Sequence, residues 1–226
     1  MSAAAVLVAA GAGERLAAGA PKGFVVLGGE VLLVHAARAL RDAGCFDVLV
    51  VVVPEGREAD AAVLLRDAEV PAEVCAGGRT RQESVAKGLA RCDQDVIAVH
   101  DAARALVSVE LVRATVQALT PDWDAAAPAE RLVDTVKRVD PEDGRVVETV
   151  NRAVLRAVQT PQVFRRELLL RLHGEAHGSD ATDDLLLVEQ AGGRVRLVEG
   201  ERRNLKITTG EDLLFAEALL REDARP

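Results

Sequence analysis

Apolar runs of strand length alternate with longer stretches of helical spacing along most of this chain. Residues 3–10, 48–53, 72–75 and 96–99 read as short apolar strands, while 31–43, 57–68 and 81–90 repeat Leu, Val and Ala at helical intervals. Nearly uniform apolar strands belong in a sheet covered by helices on both faces. Strand and helix in turn give parallel strands joined by right-handed crossovers. The predicted fold is therefore α/β, an open, doubly wound, mostly parallel sheet of Rossmann-like type. Ligands of such sheets sit beyond the carboxyl ends of the strands, so the loops after these runs are where chemistry is expected.

The pattern breaks over residues 131–157. Two segments of strand-like spacing, 132–139 and 145–150, flank the turn-rich stretch Asp140-Pro141-Glu142-Asp143-Gly144 and predict a β-hairpin. It is too small and too polar to be stable alone, which makes it an arm lying on the domain or on another subunit. The alternation then resumes, with helices at 165–175 and 182–191, a strand at 194–198 and a terminal helix from about Glu211. No repeat, low-complexity tract or linker divides residues 1–226, so a single domain is expected.

Composition narrows the classes. Hydrophobic residues make up 49% of the chain but aromatics only 2%, so the core must be packed from Val, Leu and Ala. A net charge of -8 argues against non-specific attraction to nucleic acid or an anionic membrane, and no apolar stretch approaches the roughly 20 residues of a membrane span. Cys45, Cys75 and Cys92 are widely spaced and form no CxxC pair, which suggests neither a disulfide framework nor a zinc site. With no basic leader before the first apolar run, a cytoplasmic protein is expected. Of 28 basic residues only Lys22, Lys87, Lys137 and Lys206 are lysine, so a lysine here points to a need for a compact, mobile ammonium.

Three loops after predicted strands carry candidate chemistry. The first run leads into Ala9-Ala10-Gly11-Ala12-Gly13-Glu14-Arg15-Leu16 and then Pro21-Lys22-Gly23. Small residues there let backbone N–H groups close on phosphate oxygens, with Arg15 and Lys22 supplying positive charge. Leu16 occupies the third position of a dinucleotide fingerprint, where close packing asks for Gly or Ala, and no P-loop lysine motif is present. The second loop, Gly77-Gly78-Arg79-Thr80-Arg81-Gln82-Glu83-Ser84, exposes backbone groups able to read a base edge; alone it would be an ordinary turn and helix start. The third, His100-Asp101-Ala102-Ala103-Arg104, puts a carboxylate and a guanidinium at a strand end, for ribose, a metal or a phosphate, or as a plain ion pair.

Taken together, these loops resemble those of the 2-C-methyl-D-erythritol 4-phosphate cytidylyltransferase family. The matching stretches are AAGAGERL with Pro21-Lys22, GGRTRQESV, VHDAAR, Asp134-Thr135-Val136-Lys137, Gln159-Thr160-Pro161-Gln162 with Phe164, Thr182-Asp183-Asp184, and Asn204-Leu205-Lys206-Ile207-Thr208-Thr209 before Glu211-Asp212-Leu213. They fall in the family's order over nearly the whole chain. Three positions depart: Gly23 stands where the family has glutamine, and Ala105 and Gly210 where it has proline. Gly23 is expected to loosen the loop beside Lys22; the other two loosen turns without removing chemistry.

The resemblance implies transfer of CMP from CTP to a small polyol phosphate, with Mg²⁺ or another divalent cation held mainly by the CTP phosphates. It implies Arg15, Lys22 and Lys206 as catalytic residues, and Ala9, Ala10, Gly11, Gly13, Gly78, Ser84, Asp101 and Ala102 as nucleotide-binding. Arg104, Thr135, Arg152, Thr160 and Thr182 would hold the polyol phosphate, and two chains would pair through the arm as a homodimer. Ribitol 5-phosphate stays open as an alternative acceptor, as does a non-catalytic nucleotide-binding relative. His35, His173 and His177 are read as packing or surface residues.

Overall fold

The computed structural model describes residues 2–11, 21–175 and 183–223. The first half follows the predicted alternation, with an unpredicted short pair of strands added before the first helix: β1 (Ala3–Val8), β2 (Val26–Leu27), β3 (Glu30–Val31), α1 (Leu32–Asp42), β4 (Val48–Val53), α2 (Glu58–Asp67), β5 (Glu73–Ala76), α3 (Arg81–Leu89) and β6 (Val96–Asp101). Then come α4 (Val109–Gln117), β7 (Ala125–Arg131), β8 (Val136–Val139), β9 (Val146–Val150), β10 (Arg156–Val158), β11 (Gln162–Arg165), α5 (Arg166–Glu175), α6 (Asp184–Gln190), β12 (Val195–Glu199) and α7 (Gly210–Asp223).

The main sheet runs β5-β4-β1-β6-β11-β7-β10, with β12 on the far side of β7. Strands β5, β4, β1 and β6 are mutually parallel, β11 runs against both β6 and β7, and β12 is parallel to β7. After β1 the chain moves outward to β4 and β5, then crosses back to place β6 on the other side of β1. That reversal opens a crevice at the carboxyl ends of β1 and β6.

Alternate residues of each central strand feed two cores. Ala3, Ala5, Leu7, Val51 and Val53 pack with Leu33, Leu40, Leu65 and Val112 from α1, α2 and α4. Ala4, Val6, Val50 and Val52 pack on the opposite face with Val85, Leu89, Leu169 and Val188 from α3, α5 and α6. This two-sided burial is why the strands read as uninterrupted apolar runs. At Gly88 an added Cβ would lie 2.5 Å from Val6 Cγ1, so α3 sits close enough to the sheet to fix where the loop preceding it lies.

The hairpin forms with shorter strands than predicted. Val136 pairs with Val150 and Lys137 with Thr149, and a register irregularity at Arg138/Val139 precedes the turn, where Gly144 adopts φ +73°. Strands β8 and β9 form a sheet of their own. Val133, Val139, Val146, Val147 and Val154 are exposed on and beside it.

Candidate active site

A cavity of about 530 Å³ lies at the crevice between β1 and β6, within the size range of small-ligand sites. Its first wall is the stretch after β1, where the Ala9 N–H donates to the Val52 carbonyl at 2.7 Å and the Lys22 N–H to the Gly11 carbonyl at 3.2 Å. Lys22–Phe24 form a 3₁₀ turn closed by the Phe24 N–H on the Pro21 carbonyl at 2.8 Å. Gly23 is buried, and an added Cβ would sit 2.8 Å from the Ala9 Cβ. The missing side chain lets the lysine segment pack directly on the end of β1; residues 12–20 of the loop, where the loosening is expected, lie outside the described residues. The Arg57 guanidinium covers the Phe24 ring at 4.2 Å.

The second wall is the double-glycine loop. A Cβ on Gly77 would meet the Ala10 Cβ at 2.6 Å, and one on Gly78 would meet the Glu83 Cβ at 2.2 Å, so both positions require glycine for close approach. Thr80 caps α3 by accepting the Glu83 N–H at 3.0 Å, while the Glu83 carboxylate accepts the Arg79 N–H at 2.7 Å. The Ser84 hydroxyl donates to the Thr80 carbonyl at 2.8 Å and accepts the Gly78 N–H at 3.0 Å. Lys87, which no motif had drawn in, donates to the Gly77 carbonyl at 2.6 Å. Its signal was the rarity of lysine, and its placement one helical turn beyond Ser84.

The third wall follows β6. The two oxygens of Asp101 have different partners: Oδ1 takes Arg81 Nε at 3.2 Å and Oδ2 takes Lys206 Nζ at 2.7 Å. Burial alone would raise this carboxyl's pKa, but the charges of Arg81 and Lys206 outweigh it and hold the pKa well below the usual carboxylate range. Behind Asp101, its N–H donates to Thr160 Oγ1 at 3.1 Å. The Arg104 carbonyl, 3.2 Å from His100 Nε2, can only accept, which puts the ring proton on Nε2; in the neutral ring Nδ1 is bare and accepts the Thr160 hydroxyl at 2.9 Å. Burial pushes the His100 pKa down to about 4, in keeping with this neutral tautomer.

Lys206 is set by the segment before α7, where the Ile207 N–H donates to the Ala103 carbonyl at 2.8 Å. Asp212 accepts the N–H groups of Thr208 and Thr209, both at 2.8 Å, and the Thr208 hydroxyl at 2.7 Å, while Thr209 Oγ1 accepts the Asp212 N–H. Burial works against the ionised form of Asp212, yet these hydrogen bonds bring its pKa down to about 2. The reciprocal cap fixes the helix start despite Gly210 in place of proline.

The cavity thus gathers Ala9, Ala10, Gly11, Lys22, Gly78, Ser84, Asp101, Ala102 and Lys206. The residues expected to hold the acceptor lie elsewhere. Arg104 donates to the carbonyls of Asn204 at 2.7 Å and Val158 at 3.3 Å, with burial lowering its pKa, and Thr160 is buried behind Asp101. Thr135 and Arg152 are exposed at the arm, where Arg152 donates to the Val133 carbonyl. None of these four is among the described residues lining the cavity. Gly13, Arg15 and Thr182 lie outside the described residues.

One part of the site was not anticipated. Arg81 Nη1 also reaches Asp184 Oδ2 at 2.7 Å, and Asp184 Oδ1 lies 2.9 Å from His173 Nε2. Arg81 and Asp184 sat inside quoted motifs, but nothing in the sequence joined them across 103 positions or drew in His173, which was assigned to packing or the surface.

A doubly wound sheet whose switch-point cavity is walled by two small-residue loops, a buried carboxylate and two lysines defines a nucleotide-binding α/β enzyme that acts on phosphates. The family model described as 2-C-methyl-D-erythritol 4-phosphate cytidylyltransferase matches residues 3–222, and the chain belongs to this family. A protein of that name from Rhodococcus jostii is 45% identical over 223 residues, covering 97% of this chain and 96% of its own length. Another from Streptomyces avermitilis is 44% identical over 228 residues, covering 96% and 91%. The crystal structure of the 2-C-methyl-D-erythritol 4-phosphate cytidylyltransferase from Thermus thermophilus superposes with a TM-score of 0.79 at 37% identity, covering 96% of this chain and 98% of that one.

Proposed function

We propose that this protein transfers CMP from CTP to 2-C-methyl-D-erythritol 4-phosphate, giving 4-diphosphocytidyl-2-C-methyl-D-erythritol and pyrophosphate in the non-mevalonate route to isoprenoid precursors. The observation that carries the reading is the cavity itself, where Lys22, Lys206 and Asp101 meet both glycine loops in a member of this family. A phosphate oxygen of the acceptor attacks the α-phosphorus of CTP. The bond to the bridging oxygen breaks, and its electron pair leaves with pyrophosphate. A phosphate monoester is largely dianionic near neutral pH, so no general base is needed. What the reaction needs is positive charge where two anions meet and where charge builds on the phosphoryl oxygens.

Lys22 and Lys206 supply that charge, together with Arg15. Ala9, Ala10, Gly11 and Gly13 present backbone to the triphosphate, Gly78 and Ser84 read cytosine, and Asp101 and Ala102 hold the ribose. Both oxygens of Asp101 already carry cationic partners. That donor set fits a divalent cation, Mg²⁺, carried mainly by the phosphates of CTP, where it would neutralise charge.

Family membership supports assigning the acceptor to Arg104, Thr135, Arg152, Thr160 and Thr182, of which Arg104 and Thr160 are bonded within the fold behind the cavity wall and would act from there. Thr135 and Arg152 lie exposed on the arm, outside the cavity, so an exchange of arms between two chains would be the way to bring them to a site, and exposed valines on the hairpin give a partner apolar surface to cover. A homodimer with shared sites is therefore part of the reading. So is a cytoplasmic location, supported by three free thiols and by no described helix long and apolar enough to cross a membrane.

The test is pyrophosphate release with each of four nucleoside triphosphates, with and without Mg²⁺, against methylerythritol phosphate and ribitol 5-phosphate. Release is expected only with CTP, Mg²⁺ and methylerythritol phosphate together. Equal turnover with ribitol 5-phosphate would overturn the acceptor, and preference for ATP or GTP would overturn the base.

A further inference from the structure

Five side chains from five separate stretches form one line with alternating partners: Lys206 before α7, Asp101 ending β6, Arg81 opening α3, Asp184 opening α6 and His173 in α5. The links are Lys206 Nζ to Asp101 Oδ2 at 2.7 Å, Arg81 Nε to Asp101 Oδ1 at 3.2 Å, Arg81 Nη1 to Asp184 Oδ2 at 2.7 Å and His173 Nε2 to Asp184 Oδ1 at 2.9 Å. One end is open to the cavity, with the Lys206 side chain 45% exposed; the other is closed, with Asp184 at 2% and His173 at 4%.

The closed end calls for an explanation. Burying a carboxylate costs several kcal/mol before its partners offset it, and apolar residues of the same volume often serve stability as well. Asp184 and His173 do not line the cavity. Arg81 is their link to it. The guanidinium is divided between two carboxylates, one N–H on each, and this division leaves Asp101 Oδ2 for the lysine. Without Asp184, Asp101 would be the carboxylate left to Arg81, whose planar fork is shaped to take both oxygens of one carboxylate. Lys206 would then lose its anchor. Burial opposes the charge on Asp184, but the His173 hydrogen bond and the Arg81 charge keep it ionised.

We propose that His173 and Asp184 are positioning residues for cytidylyl transfer: by holding one side of Arg81 they reserve Asp101 Oδ2 for Lys206 and so fix its ammonium at the cavity. This rests on the reading that Lys206 acts at the reacting phosphates. A pair that merely ties α5 to α6 would have the same geometry, so the test must register position rather than stability.

Steady-state kinetics with CTP and methylerythritol phosphate are compared for the full chain, Asp184→Asn, His173→Ala and His173→Gln, and for Asp184→Asn combined with Lys206→Ala. Asp184→Asn and His173→Ala are expected to lower kcat at least about tenfold while the KM for CTP stays within about threefold. His173→Gln keeps an N–H near the position of Nε2 and should recover most of the loss. In the Lys206→Ala background, Asp184→Asn should cost less than about twofold more, because the lysine it positions is gone. Unchanged kcat, a rise in KM alone, or an equal cost in both backgrounds would overturn the proposal. Should Asp184→Asn not fold, the two His173 variants decide the same question. A wild-type protein silent on CTP overturns the underlying reading as well, whereas unaltered variants of an active enzyme overturn this inference alone.

Discussion

Replacing Gly78 by alanine is the smallest change that should disable the base-reading loop. The new Cβ would lie 2.2 Å from the Glu83 Cβ and 3.2 Å from its backbone carbonyl carbon, where ordinary contacts begin at 3.4 Å. Relief requires the first turn of α3 and the loop to part by more than about 1 Å on the scale of those contacts, since neither obstructing carbon is the end of a flexible chain. Three hydrogen bonds cross that gap, from Gly78 N–H to Ser84, Arg79 N–H to the Glu83 carboxylate and Glu83 N–H to Thr80. Overpacking of this kind costs about 1–3 kcal/mol and loss of an N-cap about 1 kcal/mol. For a chain of this length that corresponds to a Tm lower by roughly 4–16 °C. Because the displaced loop is the one proposed to read cytosine, the KM for CTP should rise at least about tenfold on the scale of a lost polar readout. Thermal melts and CTP titrations give both quantities. Gly174→Ala is the control: it lies exposed in α5 with no described residue within 4 Å of an added Cβ, and should leave Tm unchanged or slightly higher. A Gly78→Ala protein that melts within about 1 °C of wild type and keeps its KM would refute the packing argument.

Three further outcomes follow from the site. Lys22→Ala and Lys206→Ala should each lower kcat at least about a hundredfold with folding nearly intact; near wild-type kcat with weaker CTP binding alone would reduce that lysine to ground-state binding. Inactive Lys22→Ala and Arg152→Ala chains, unfolded together and refolded as a random mixture, should recover about a quarter of wild-type activity, because half the dimers are mixed and each has one intact site; a mixture that forms mixed dimers yet stays inactive would place both residues in one chain's site. His100, with a pKa of about 4 in the fold against 6.5 ordinarily, stays neutral where the unfolded chain takes a proton. Stability should therefore fall from pH 6.5 to pH 4 by on the order of 3 kcal/mol, and urea melts of His100→Gln should show a flatter slope across that window; an unchanged slope would refute it.

What was legible in the sequence follows from how local each signal is. Strands β1, β4 and β6 were readable because both their faces are buried and their apolar runs are nearly unbroken, and the edge strand β5, which starts at exposed Glu73, was readable from its place in the strand–helix alternation. Strand β7 was not: its alanines have little strand preference, and Pro128 inside it argues against a strand altogether. It is a strand because β11, β10 and β12 pair around it, and its Pro128 carbonyl accepts the Gln159 N–H at 2.8 Å. Short β10 and β11 were missed because neighbouring strands make them strands, and α4 was missed as well, although Ser108, which caps it through the Leu111 N–H at 3.0 Å, was a readable sign of its start. The cavity was foreseeable because each wall is a contiguous motif following a strand. The chain of charges was not, because Asp101, Arg81, Asp184 and His173 become neighbours only when α3, α5 and α6 settle on one face of the sheet.

Cytidylyl transfer requires attack at the α-phosphorus of CTP, and isotope placement reads this directly. The protein is incubated with Mg²⁺ and methylerythritol phosphate, in one reaction with CTP labelled at the α-phosphate and in another with CTP labelled at the γ-phosphate. The account predicts that the α label moves into the polyol product, bonded through a new diphosphate linkage, and that the γ label leaves entirely as pyrophosphate. An α label that ends in CMP with the polyol phosphate unchanged, or a γ label that moves to the polyol or to orthophosphate, would contradict it.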